Sequence, residues 1–340
     1  MNDTPSVQTR MTLTEVHDLA TRALAANGCS ADNARAVADT VTSAERDGAK
    51  SHGLFRIPGY VKSLKNGKID GQADPVVERI GACIIAVDGR NGLAPRAIEA
   101  GRAPLIEAAR ENGMAACAIR RTHHYAALWP ETEALAEQGL VAMAFVNAPP
   151  YVAPAGGTKP FFGTNPMAFA WPRPGGGAMV WDQASSLTAR GELQIMKRDG
   201  HVAPDGAGVD KDGQPTNDPA AILEGAQLPF GGYKGGAIAL MVDLMCGPLL
   251  GEVSSMEAGQ QDNKDGGPAT GGELILAFDP ARFGGDDPSA RAERLFEGML
   301  GLDGVRLPGS RRHAARTRTP AEGVEIPTPL FDTIVGLTSG

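Results

Sequence analysis

Apolar positions recur along this chain at two different spacings. From Thr12 the spacing is helical: Val16, Leu19, Ala20, Ala23 and Leu24 fall three or four apart. Thr12-Leu13-Thr14-Glu15 ahead of them is a capping box, in which the Thr and Glu side chains satisfy amides left free in the first turn. Asn27-Gly28 stops this helix. Ser30 caps a second one carrying Ala36, Val37 and Val41, which ends near Asp47-Gly48. The two helices are expected to pack together. Short apolar runs at 83–88, 114–119, 141–147, 166–170, 179–182 and 273–279 read as strands. The fourth and fifth flank the turn Gly175-Gly176-Gly177. Further helices are predicted at 95–112, stopped by Gly113, at 126–138, stopped by Gly139, and at 235–250 and 291–300. The alternation of strand and helix predicts an α/β fold. The stretches 149–159 and 260–272, rich in Gly, Pro and polar residues, read as loops over a site.

With 340 residues the chain is long enough to bury a substantial core, and roughly two domains are expected. The division expected is 1–112 with 286–340 as a helical, substrate-associated region, and 113–285 as a cofactor-binding α/β region. The net charge of −8 disfavours nucleic acid and anionic membranes as partners, although a local Arg can still hold a small anion. Cys29, Cys83, Cys117 and Cys246 stand far apart with no C-x-x-C pair, so buried reduced thiols are expected and no metal site. The polar segment 1–11 lacks an apolar stretch and no long apolar run follows, which makes a cytoplasmic location the expectation. G-x-G-x-x-G, Walker A, H-E-x-x-H and G-x-S-x-G are all absent. A nucleotide, if bound, is bound in some other way.

Three clusters carry candidate chemistry. In Ser51-His52-Gly53-Leu54-Phe55-Arg56-Ile57-Pro58-Gly59-Tyr60 a helix is expected to begin, placing His52 and Arg56 four apart on one face. His52 can move a proton near neutral pH and Arg56 can grip a carboxylate with two parallel hydrogen bonds. A helix start with a surface Arg is the competing reading. Arg121-Thr122-His123-His124-Tyr125-Ala126-Ala127-Leu128-Trp129-Pro130 follows a strand. Adjacent histidines point apart and make a poor metal pair, whereas free amides at a strand-to-helix turn suit a phosphate or ribose. Phe230-Gly231-Gly232-Tyr233-Lys234-Gly235-Gly236 opens a helix and is either an anion contact at Lys234 or a flexible loop with a solvated Lys.

Together with Phe162-Gly163-Thr164-Asn165-Pro166, these clusters resemble the type-2 malate/L-lactate dehydrogenase family, and the likeness runs from about Leu13 to Arg312. Asp47-Gly48, the Ser51–Tyr60 run, His123 to Pro130 and Arg306-Leu307-Pro308-Gly309-Ser310-Arg311-Arg312 are most similar to the Δ1-piperideine-2-carboxylate/Δ1-pyrroline-2-carboxylate reductases. The resemblance implies an α/β fold that is not a Rossmann fold, with a largely antiparallel central sheet, flanking helices and a helical unit formed by both chain ends. It also implies a homodimer. His52 is then the catalytic acid, Ser51 its relay partner, Arg56 the carboxylate grip and Thr164 a substrate contact. The cofactor contacts implied are His124, Tyr125, Ala126, Ala127, Leu128, Asp182, Gln183, Ala184, Lys234, Gly235 and the loop 307–313, with Arg311 and Arg312.

This chain has Glu192 where the imine reductases carry a relay Asp, and the stretches 148–158 and 251–267 also differ from those reductases. A carboxylate at 192 near His52 would raise the imidazole pKa. The expected reaction is reduction of a cyclic imine carboxylate by NADPH, with NADH also possible. The alternatives are a malate- or lactate-type 2-hydroxy-acid dehydrogenase and a ligand-binding paralogue without activity.

Overall fold

The structure is a computed structural model that describes residues 7–175, 177–262, 270–283 and 285–339. It opens with strand β1 (Gln8–Met11) and the two expected helices, α1 (Leu13–Ala26) and α2 (Ala31–Arg46). The capping box forms: Glu15 N donates to Thr12 Oγ1 at 3.2 Å and Thr12 N to Glu15 Oε2 at 2.7 Å. The apolar stripe of α1 packs on Val37 and Val41 of α2. Two 3-10 turns, Lys50–His52 and Leu54–Arg56, lead into α3 (Ile57–Lys65). Pro58 sits in its first turn, where no intrahelical amide is lost.

Next come β2 (Val76–Gly81), β3 (Ile84–Leu93), α4 (Ala94–Asn112), β4 (Met114–His123), α5 (Trp129–Ala136) and β5 (Val141–Val146). They are followed by β6 (Met167–Trp171), β7 (Met179–Gln183), α6 (Arg190–Asp199), β8 (Gly208–Val209), β9 (Pro215–Thr216), α7 (Pro219–Glu224) and β10 (Ala226–Gln227). The last are α8 (Tyr233–Cys246), α9 (Ser255–Gln261), β11 (Gly271–Phe278), α10 (Pro288–Leu300), α11 (Ser310–Glu322), β12 (Val324–Pro327) and α12 (Thr328–Leu337).

A seven-stranded sheet, ordered β2-β3-β4-β11-β5-β6-β7, forms the centre. β3 and β4 run parallel, with α4 as the crossover between them. The other neighbours pair antiparallel. One face buries Ile85, Val87, Ile119 and Ala144 against Ile98 and Leu105 of α4 and Leu135 of α5. The other buries Phe145 and Leu274 against Val242 and Cys246 of α8. The sheet is therefore mixed, mostly antiparallel and flanked by helices. β1 pairs with β12 from Gln8↔Pro327 to Met11↔Val324, so the two ends of the chain close a separate core with α1, α2, α3 and α12.

Several elements differ from the sequence expectation. The strand expected at 83–88 runs on to Leu93, and the exposed edge strand β2, whose apolar residues do not alternate in burial, was not expected. The helix expected from Ala126 starts at Trp129, because the amides of Leu128 and Trp129 donate instead to Asp182 Oδ2. The helix expected at 235–250 ends at Cys246, ahead of Gly247-Pro248. Helix α11 buries no residue fully, so periodicity could not show it. Residues 260 and 261 belong to α9, while 263–269 of the expected loop, Gly176 of the glycine turn and residues 1–6 lie outside the described residues. The cysteines are unpaired; Cys29, Cys117 and Cys246 are buried and Cys83 half-buried. Among the described residues no group of three metal-ligating side chains forms, and no helix is long and apolar enough to cross a membrane.

Candidate active site

The segment after α2 is shaped by one buried acid. Glu45 Oε1 accepts the amide of Leu54 at 2.8 Å, and a Cβ on Gly53 would lie 2.0 Å from that oxygen, so only glycine fits between the two 3-10 turns. Burial pushes the Glu45 carboxyl up to about 7. His52 and Arg56 therefore do not share the face of one helix, as their spacing suggested; the break at Gly53 separates them, yet both open into the same cavity. Ser51 Oγ lies 3.0 Å from His52 Nδ1 in a hydrogen bond, and Arg56 Nε donates to the Ser51 carbonyl at 2.8 Å. Gly191 of α6 packs closely on this pair: a Cβ there would come within 3.1 Å of both Ser51 Cβ and Arg56 Nη2.

The electrostatics run opposite to the sequence expectation for His52. Burial, and then the Arg56 charge, push its pKa down to about 3, so the imidazole is neutral at neutral pH. Burial also lowers the Arg56 guanidinium. Glu192 is exposed in the first turn of α6 and hydrogen-bonds neither Ser51 nor His52. It does line the same cleft as both.

The cleft has two limbs. One, of about 580 Å³, is lined by His52, Arg56, His124, Tyr125, Thr164 and Arg190 among others. The second, of about 700 Å³, is lined by Ser51, Ala126, Ala127, Leu128, Trp129, Asp182, Gln183, Ala184, Glu192 and Arg312 among others. His52, Arg56, Ala126, Thr164, Pro166 and Arg190 belong to both walls.

The turn after β4 is held by side chains from distant elements. His124 has a left-handed backbone with φ 58°; its Nε2 hydrogen-bonds Ser63 Oγ at 2.8 Å and its ring lies 4.4 Å from that of Tyr60. Burial, then neighbouring cationic groups, push the His124 pKa down to about 3. His123 turns away to Asn91 Oδ1 at 2.9 Å, so the two histidines point apart as expected. Tyr125 accepts from Thr122 and donates to the Gly271 carbonyl at 2.6 Å. Asp182 takes the amide of Leu128 at 2.8 Å and of Trp129 at 3.2 Å, capping α5 with a carboxylate. Burial raises the Asp182 pKa, opposed by those amides and by Arg312.

Arg312 Nη2 donates to the Val180 carbonyl at 2.9 Å and its guanidinium lies 5.0 Å from the Trp129 ring. That ring and the His52 imidazole meet nearly at right angles, 6.4 Å between centroids. Trp129 is fixed from behind, its Nε1 donating to Asp47 Oδ2 at 3.1 Å. Arg316 bridges Asp47 and Glu133, with contacts of 3.0 Å from its Nε to Asp47 Oδ1 and 2.6 Å from its Nη2 to Glu133 Oε2. The basic stretch at 311–318 is thus not uniformly solvated: Arg311 and Arg318 are exposed, Arg312 faces the cleft and Arg316 is half-buried.

Not every expected contact residue reaches the cleft. Lys234 and Gly235 open α8 but line neither limb; Lys234 is exposed and Gly235 is packed on the Phe230 carbonyl. Arg311 also lines neither limb. Sequence reasoning missed Arg190, whose adjacency to Gly191 and Glu192 was the available signal. It also missed the Asp182 cap, which no local spacing announces.

Residues 11–335 match the malate/L-lactate dehydrogenase family, and the chain belongs to it. It is an oxidoreductase, with a nicotinamide as the cofactor the family implies. Within the family it is 46% identical over 330 residues to Delta(1)-pyrroline-2-carboxylate reductase 1 of Burkholderia ambifaria, covering 96% of this chain and 97% of that one. It is likewise 46% identical to the Delta(1)-pyrroline-2-carboxylate/Delta(1)-piperideine-2-carboxylate reductase of Pseudomonas aeruginosa, covering 96% of this chain and 99% of the other. The crystal structure of delta1-piperideine-2-carboxylate reductase from Pseudomonas syringae pathovar tomato superposes with a TM-score of 0.91 at 44% identity, covering 97% of this chain and 99% of that one.

Proposed function

We propose that this protein reduces Δ1-pyrroline-2-carboxylate or Δ1-piperideine-2-carboxylate to L-proline or L-pipecolate, with NADPH as the preferred cofactor. The observation that carries the reading is the conjunction of Ser51, His52 and Arg56 on one cavity wall, in a chain 46% identical to reductases of these imines. Among the described residues Arg56 has no carboxylate partner, and it is drawn from water, which suits it to a substrate carboxylate. A reduced nicotinamide, when bound, supplies the hydride for the imine carbon. His52 holds the proton that the ring nitrogen must gain for C=N to become CH–NH. An anion on Arg56 cancels part of the charge that keeps His52 neutral, so substrate binding itself favours protonation of His52. Ser51 fixes the orientation of the ring through Nδ1.

The residues of the second limb fit a nicotinamide dinucleotide. The apolar wall at 126–128 offers a flat face, and Lys50 and Arg312 supply cations for its phosphates. Arg312 favours the ribose phosphate of NADPH over the bare hydroxyl of NADH. With a mostly antiparallel sheet and no G-x-G-x-x-G, binding by a non-Rossmann route is part of this reading. On this view the 1–112 segment contributes the acid and the carboxylate grip, 113–285 most of the cofactor wall, and 286–340 Arg312.

The partner proposed is a second copy of this chain. Helix α8 is mostly apolar and leaves Leu240 47% and Leu244 52% exposed, a face that a homodimer would cover. A cytoplasmic location belongs to the same reading.

Cofactor oxidation measured with pyrroline-2-carboxylate, piperideine-2-carboxylate, pyruvate and oxaloacetate tests the function. The imines should be reduced well ahead of the keto acids. Preference for a keto acid would make the protein a 2-hydroxy-acid dehydrogenase, and no oxidation with any of the four would make it a binding protein. His52→Ala should lower kcat by about 10²–10⁴-fold while cofactor binding survives.

A further inference from the structure

Three tyrosines lie in or beside the smaller limb, and their hydroxyls are committed differently. Tyr60, whose ring packs on His124, donates to the His124 carbonyl at 3.3 Å. Tyr125 donates to the Gly271 carbonyl at 2.6 Å. Tyr151 spends only its backbone: its amide donates to the Phe162 carbonyl at 2.8 Å and its carbonyl accepts the Gln227 amide at 2.9 Å. Among the described residues the Tyr151 hydroxyl has no hydrogen-bond partner. Tyr151 lines the smaller limb with His52, Arg56 and Thr164 and does not line the larger one, so it faces the substrate side of the cleft. It also stands near enough to Arg56 for the two to interact electrostatically.

The ring is held in place from two directions. The next residue, Val152, is fully buried with Phe162 and Ala239, which fixes the backbone. Arg190, the first residue of α6, places its guanidinium carbon 3.7 Å from the centroid of the Tyr151 ring. Its hydrogen bond is a long one, 3.4 Å from Nη2 to the Leu223 carbonyl, and among the described residues it has no carboxylate partner. Its cation is thus turned to the face of the phenol ring, which leaves the hydroxyl at the ring edge free. A donor fixed in advance loses little freedom when a ligand binds.

The carboxylate expected on Arg56 can use such a donor. Arg56 already gives its Nε to the Ser51 carbonyl, so its terminal nitrogens remain for the ligand. They fill two of the roughly four acceptor positions of a carboxylate, and a desolvated site must satisfy the others. Tyr151 belongs to the stretch 148–158, in which this chain departs from the related imine reductases.

We propose that Tyr151 is a further substrate-binding residue, its hydroxyl donating a hydrogen bond to the carboxylate that Arg56 grips, and that Arg190 is the positioning residue that holds its ring. The inference rests on the imine-reductase reading of the same site, and two measurements separate its failure from the failure of that reading.

The first is kinetic. Tyr151→Phe removes one oxygen and keeps the ring on Arg190. The KM for Δ1-pyrroline-2-carboxylate should rise by about 10-fold or more, well beyond any change in kcat or in cofactor KM. Arg190→Met, which frees the ring, should raise the same KM by less. The double variant should lose less than the two single losses combined, because both act on one hydrogen bond. Arg190→Lys keeps a cation over the ring and should fall between wild type and Arg190→Met. The second measurement is calorimetric and needs no turnover. Pyrrole-2-carboxylate should bind Tyr151→Phe about 10-fold or more weaker than the wild type, whereas NADPH should bind both alike. Unchanged affinity for pyrrole-2-carboxylate in Tyr151→Phe overturns the proposal, and imine turnover by the wild type would then leave the reductase reading standing. A loss confined to NADPH also overturns it, by making Tyr151 a cofactor contact. Additive losses in the double variant remove Arg190 from the positioning role. Weaker binding of pyrrole-2-carboxylate without turnover of any imine by the wild type would keep Tyr151 as a carboxylate donor and remove the imine-reductase function.

Discussion

Arg56 and Arg316 are both drawn partly out of water, and the fold uses them in opposite ways. Burial works against the Arg316 cation, but hydrogen bonds and charge from Asp47 and Glu133 more than offset it and raise its pKa. Among the described residues Arg56 donates only to the Ser51 carbonyl, from its Nε, and burial lowers its pKa. Arg316 is a saturated strut, joining α2, α5 and α11 behind Trp129. Arg56 is an unsaturated one, held open at the cleft. The difference teaches that a buried arginine is read by what its donors already bind: Arg316, paired, holds three elements together, whereas Arg56 keeps donors open towards the cleft.

The sharpest way to break the comparison is on stability. Arg316→Ala leaves the fully buried Asp47 carboxylate with Arg46 and Trp129 alone and removes the cation from Glu133, and should cost about 1–3 kcal/mol in urea unfolding. The pH dependence has a definite sign. Burial opposes the Asp47 carboxylate, but Arg316 and Arg46 outweigh it and hold its pKa below the ordinary range. The stabilisation is therefore present above about pH 4 and fades as pH falls through the native value, so variant and wild type should converge in acid. A gap that widened in acid would refute the strut.

Arg56→Lys should do the reverse, leaving unfolding nearly unchanged while raising substrate KM by about 10–100-fold. Unchanged substrate affinity would remove Arg56 from the carboxylate site.

Arg312 sits between the two cases, half-committed to the Val180 carbonyl and to Trp129. Arg312→Ala should weaken NADPH by about 10-fold and NADH by less, and adding Arg311→Ala should change little more, since Arg311 lines neither limb. Equal losses for both cofactors would rule out a role in choosing between them.

The smallest effect is expected at Glu192. Its proposed part in the proton relay acts across solvent in this structure, because the side chain is exposed. Glu192→Gln should move the basic limb of the pH–rate profile to lower pH by less than about half a unit, since removing a nearby negative charge lowers the His52 pKa. A profile that did not move would leave His52 working with Ser51 alone.

The sequence by itself determined what depends on neighbours along the chain. The Thr12 capping box, the apolar stripe of α1 and the strands at 141–147 and 273–279 were legible because each is written within a few residues at a fixed period. Ser51, His52 and Arg56 stood out as one short run, although the single helical face expected for His52 and Arg56 is broken at Gly53, and the roles expected of them came from the family resemblance. The tertiary structure alone decided where cations end without partners and where they are matched. Asp182 caps a helix that begins 53 residues earlier, Trp129 leans on Asp47 from 82 residues away, and Arg316 closes on Asp47 across 269. Helix α11 has no large apolar residue and buries none of its residues fully, so it carries no period for a core. The pKa of His52 could not be read from the sequence, because Glu192 at the position of the related reductases' relay Asp suggested a raised value while burial and Arg56 impose a lowered one. Desolvation depends on everything packed around a group, and one-dimensional spacing carries almost none of that information.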